Sequence, residues 1–105
     1  MATWEDVRRL CLELPDVEER KQTFRTNGRI FVNMSHEEGA ISTRAPEDEV
    51  ELLIRALPDI YFLTPHYAGW QAVLVRLDAV DDEELTGRIE DAHAFISAMK
   101  APRKR

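Results

Sequence analysis

The feature that most constrains this chain is the dipeptide Asn27-Gly28, set between two strand-like runs, Lys21 to Thr26 and Arg29 to Ser35. Asparagine and glycine accept the two positive φ angles of a type I′ turn more readily than other pairs, and that turn matches the right-handed twist of paired strands. The two runs are therefore expected to form a β-hairpin. A two-residue loop also fixes the pairing. Phe24 then stands opposite Phe31, on one face with Gln22, Thr26, Arg29 and Asn33, while Ile30, Val32 and Met34 share the other face with Lys21, Thr23 and Arg25. Neither face is cleanly apolar. Either Ile30, Val32 and Met34 point to the core and leave an open face bearing the aromatic rings and Arg29, or a bulge shifts the register and buries the rings.

The remaining elements follow from periodicity and from the residues that stop it. Thr3 to Leu14 reads as an amphipathic helix, with Thr3 as N-cap, Asp6 three positions on, and Trp4, Val7, Leu10, Cys11 and Leu14 at helical spacing. Pro15 closes it by pushing Leu14 out of the α region. His36-Glu37-Glu38-Gly39 makes a turn into a short third strand, Ala40 to Thr43. Pro46 opens a second helix that runs to Leu57 and is stopped by Pro58. Its first turn, Glu47-Asp48-Glu49, complements the positive end of the helix dipole. Ile60 to Leu63 is a fourth strand, Thr64 to Gly69 a loop, and Trp70 to Leu77 a fifth strand, apolar on both faces and so central. A long final helix starts near Asp81 and ends at Ala101-Pro102. The order α-β(3)-α-β(2)-α describes an α+β, two-layer domain: an antiparallel five-stranded sheet with helices on one side, leaving the other face for a partner. Residues 1–100 form this single domain and residues 101–105 a basic flexible tail.

Composition narrows the functional classes. At 105 residues with 44% apolar content, the chain has room for one core and little for an elaborate buried site. The longest apolar runs, such as Ala72 to Val75, fall far short of the roughly 20 residues needed to cross a bilayer. The opening Met-Ala-Thr-Trp-Glu-Asp has neither the cationic start nor the apolar stretch of a signal peptide. A single cysteine makes no internal disulfide. These features read as a cytoplasmic protein without a membrane partner, monomeric or weakly dimeric. The net charge is −6, from 14 basic and 20 acidic residues, but it is unevenly spread. Four basic residues (Lys100, Arg103, Lys104, Arg105) lie in the last six positions, so the body carries 10 basic against 20 acidic groups. Within that acidic body, Arg20 to Arg44 holds five basic residues (Arg20, Lys21, Arg25, Arg29, Arg44) against Glu37 and Glu38, a local balance of +3. Phosphate contact would rest on that stretch or on the tail.

This order, together with Leu14-Pro15-Asp16-Val17-Glu18-Glu19, Phe24 and Asn27-Gly28-Arg29-Ile30-Phe31, resembles the MmcQ/YjbR family of small bacterial domains. Thr64-Pro65-His66-Tyr67, Gly69-Trp70 and Asp82-Glu83-Glu84-Leu85 complete the pattern, which covers nearly the whole chain. The resemblance implies an α-β(3)-α-β(2)-α "double wing" fold and a DNA-binding role. The strongly acidic body and the basic tail depart from that pattern. The same fold resembles type III secretion chaperones, which implies a protein-interaction module as the alternative.

Two groups of residues are candidate sites. Lys21, Arg25, Arg29 and Arg44 beside Phe24 and Phe31 combine cations that hold phosphate with rings that stack on bases. The competing reading makes the rings core and the cations solvated. His66, Tyr67 and Trp70 would line a small-molecule pocket or an interface, or else Trp70 packs in the core and His66 ties down the loop. No nucleophile or carboxylate lies near His66 in sequence to form a catalytic pair, so a non-enzymatic binding domain is expected. Cys11 falls on the apolar stripe of the first helix and reads as core. His36, His66 and His93 are too widely spaced for a zinc motif, and the acidic run from Asp78 to Glu84 lacks the glycine and spacing of a calcium loop, so neither a metal nor a cofactor is expected.

Overall fold

Capping chemistry fixes where the helices begin. In the computed structural model, which describes residues 2–99, the Thr3 hydroxyl accepts from the Asp6 backbone N–H and the Asp6 carboxylate accepts from that of Thr3. This reciprocal box starts α1 (Trp4–Leu12). Three acidic residues in the first turn open α2 (Glu47–Ala56) behind Pro46. The Asp81 carboxylate accepts from the Glu84 N–H at 2.8 Å and starts α3 (Asp82–Ser97). The Ala101-Pro102 helix end and the basic tail expected from the sequence lie outside the described residues.

Between the helices run β1 (Glu18–Glu19), β2 (Thr23–Thr26), β3 (Arg29–Met34), β4 (Ala40–Arg44), β5 (Tyr61–Phe62) and β6 (Ala72–Arg76). They form one antiparallel sheet in the order β1-β2-β3-β4-β6-β5; β6, expected at the centre from its two apolar faces, is paired on both sides but lies next to the two-residue edge strand β5. The expected five strands are joined by a sixth. β1 is only two glutamates long and is paired with Arg25 and Phe24 of β2. An ion pair of 2.7 Å between Glu19 and Arg8 of α1 holds it. The strand expected from Lys21 begins two residues later, because Lys21 and Gln22 adopt positive φ in the turn from β1.

All three helices deliver side chains to one core on one side of the sheet: Val7 and Cys11 from α1, Val50 from α2, and Leu85, Ile89, Ala92 and Ile96 from α3. The hairpin meets that core through a bulge. Thr26 pairs with Arg29 across Asn27-Gly28, but Arg25 pairs with Ile30 and Phe24 with Val32, so Phe31 is the extra residue. Both Phe31 and Val32 consequently reach the core, and Phe24 and Phe31 are completely buried. The placement of these two rings on an exposed binding face is thereby corrected.

The second face is not open either. Ala40, Ser42, Ala72 and Leu74 alternate with the core residues of β4 and β6, so they point away from the helices, yet all four are buried. The segment Thr64 to Gln71, between β5 and β6, is tied to the sheet near both ends of β4. The Tyr67 hydroxyl accepts from the His36 N–H at 3.1 Å, and the Trp70 carbonyl accepts from Arg44 Nη1 at 2.7 Å. No helix among the described residues is long and apolar enough to cross a membrane.

Cys11 sits at the interface of α1 with the core, without solvent exposure. Burial, aided by the charge of Glu19, pushes its thiol up to about 12, so almost no thiolate exists at neutral pH. A disulfide reagent such as DTNB is expected to label Cys11 only after denaturant unfolds the domain. Prompt labelling of the native protein would contradict its place in the core.

Candidate nucleic-acid interface

The hairpin tip is docked onto the far end of the chain. α3 has no basic residue in its last turn to satisfy its closing carbonyls. Asn27 does so instead: its Nδ2 donates to the Ile96 carbonyl at 3.3 Å and to the Met99 carbonyl. Asparagine serves both needs at this position, since it also tolerates the φ of +55° that the turn requires.

This docking gathers the cations. Arg25 and Arg29 flank the tip, Arg44 ends β4 at the same end of the sheet, and Gln71 leads into β6 beside it. Together with the apolar side chains of Ile30, Phe95, Ile96 and Met99, they line a cleft of about 260 Å³. No carboxylate is among the described residues that line it. Burial pulls the Arg44 pKa below the ordinary arginine value, with Tyr67 offsetting part of the shift. Arginine keeps its charge under such a shift. Three guanidinium groups crowded at one cleft repel each other. The negative pole of α3 offsets part of that repulsion, and a bound anion would offset more.

The cationic set expected from the sequence therefore divides. Arg25, Arg29 and Arg44 converge, whereas Lys21 is exposed in the turn before β2, at the opposite end of that strand from the tip. Phe24 and Phe31 lie beneath the sheet, and Phe31 meets the His93 ring edge-on.

His66, Tyr67 and Trp70 do come together, with ring centroids 4.9 to 5.5 Å apart. A fourth ring that the sequence reading missed, His36, joins them at 4.8 Å from His66. It arrives through the pairing of β3 with β4, which spacing along the chain does not reveal. Tyr67 is the buried anchor, while Trp70 is 48% exposed, contrary to the reading that placed it in the core. The two candidate groups abut, because Arg44 holds the Trp70 carbonyl and Gln71 lines the cleft. Among the described residues, no group of three or more His, Cys, Asp or Glu side chains is placed to hold a metal ion. A larger cavity of about 520 Å³ near Glu37, Glu38 and Asp78 has the wrong sign for phosphate, and its one arginine, Arg76, lies over the Phe62 ring at 4.0 Å.

The YjbR family model matches residues 12–95, which include the bulged hairpin, all three cleft arginines and the ring cluster. The chain belongs to the YjbR family. Among relatives of this YjbR domain are proteins of Mycobacterium bovis and of Mycobacterium tuberculosis strains H37Rv and CDC 1551, each bearing the name "uncharacterized protein". Each is 29% identical over 123 aligned residues, covering 99% of this chain and 92% of the relative. No solved structure matches.

Proposed function

We propose that this YjbR domain is a non-enzymatic nucleic-acid-binding module whose phosphate grip is formed by Arg25, Arg29 and Arg44. One observation carries the reading. In a chain of net charge −6, three arginines from two separate parts of the sheet, Arg25 and Arg29 of the hairpin and Arg44 of β4, converge on the lining of one cleft. Guanidinium groups suit phosphate because their planar fork gives paired hydrogen bonds. Protein recognition by strand addition is the weaker reading, because both edge strands, β1 and β5, are two residues long and offer a short template.

Three phosphate contacts predict that log affinity falls against log salt with a slope of roughly −2 to −3. Anisotropy titrations of a labelled oligonucleotide at several salt concentrations measure that slope. Arg25→Ala and Arg44→Ala should each weaken binding and remove about one unit of slope, with Lys21→Ala close to wild type. Unchanged affinity and slope in the Arg25→Ala/Arg44→Ala double variant would reject the cleft.

A further inference from the structure

We infer that the preferred ligand of this surface is single-stranded nucleic acid, with an unpaired base lying on the exposed indole of Trp70 while the adjoining phosphates sit in the arginine cleft. The inference rests on the phosphate-binding reading above and adds the class of strand.

Three observations lead to it. Trp70 is one of the few large apolar side chains exposed on the described surface, and it adjoins the cations: Arg44 Nη1 donates to its carbonyl at 2.7 Å, and the next residue, Gln71, lines the cleft. An indole beside a phosphate grip gains energy only from a base with a free face, and the bases of a duplex have theirs stacked inside. The ring is also held in place, with His66 at 5.1 Å and the anchored Tyr67 at 5.5 Å, so little side-chain freedom is lost when a base lands on it. Secondly, the cleft holds about 260 Å³, below the usual range for drug-sized ligands. Such a recess admits the phosphates of one flexible strand, whereas a rigid duplex would bridge its rim. Thirdly, the chain as a whole is acidic, with a net charge of −6. A duplex carries one charge per about 1.7 Å of axis, twice the density of one strand, and pays more in repulsion for the same three contacts.

The test uses the whole protein in a Trp4→Phe background, so that fluorescence reports Trp70 alone. Its ligands are an oligothymidylate, its duplex with oligoadenylate, and an abasic strand of the same length. The inference expects the single strand to bind about tenfold or more above the duplex at equal salt and to quench Trp70. Trp70→Ala should weaken the oligothymidylate about five- to hundredfold while leaving the abasic strand unchanged, and Trp70→Phe should restore most of the loss. Equal binding of strand and duplex, or an unaffected Trp70→Ala variant, overturns the inference. If the arginine variants still lose binding in that case, the phosphate-grip reading survives it. Failure of every one of these polyanions to bind sinks both.

Discussion

Truncating Phe24 to alanine is expected to destabilise the domain by about 3 to 5 kcal/mol. Phe24 is completely buried, pairs with Val32 across the bulge, and packs its ring 5.6 Å from that of Trp4, so removal opens a cavity between the hairpin and α1. A domain of this size has a total stability of only about 5 to 15 kcal/mol. Much of the folded population is therefore at stake. Urea denaturation followed by far-UV circular dichroism gives the number directly, and the melting temperature should fall by about 4 to 8 °C for each kcal/mol lost. A loss below about 1 kcal/mol would mean that the ring is not in the core. It would also revive the reading in which Phe24 stacks on a ligand.

Replacing Asn27 with alanine should cost about 2 to 3 kcal/mol and damage the cleft at the same time. Two losses add. The donor that serves the Ile96 and Met99 carbonyls disappears, worth about 1 to 2 kcal/mol, and a residue with a β-carbon and no compensating side chain is held at a φ of +55°, worth about 1 kcal/mol more. Asn27→Gly separates the two, since glycine accepts the turn but donates nothing from a side chain, so it should recover the conformational share only. Both variants release the tip from α3. Oligonucleotide binding and its salt slope should thus fall more than they do for an exposed turn substitution such as Lys21→Ala. Equal stability of wild type and Asn27→Ala would show that the tip docks by other contacts.

The parts of the fold legible in the sequence are those set by local chemistry. Asn27-Gly28 marks the hairpin, Thr3 and Asp81 mark helix starts, and Pro15 and Pro58 mark ends, because each acts within a few residues of itself. β1 escaped because Glu18 and Glu19 carry no apolar alternation and owe their place to β2 and Arg8. The bulge was legible only as an ambiguity: strict two-residue alternation gives neither hairpin face a clean apolar set. The resolving hint is the adjacent pair Phe31-Val32, which reaches one core from successive positions only if the register slips. The cleft was half legible. A local excess of charge pointed to Arg25, Arg29 and Arg44, but their meeting depends on sheet order and on α3, which lie far off in sequence. Lys21 counted equally in that excess until the turn from β1 carried it away. His36 and the exposure of Trp70 were hidden for the same reason, since the first depends on the pairing of β3 with β4 and the second on how the Thr64 to Gln71 segment is tied to the sheet through His36 and Arg44.

The contacts of Asn27 span 69 and 72 positions. On the ribosome, the hairpin turn can form as soon as its own residues leave the exit tunnel, long before α3 is translated. Its arginines then have no cleft to line. The arginine-lined cleft comes into being only when the closing turn of α3 arrives, so a partly translated chain carries the cations without the recess that organises them.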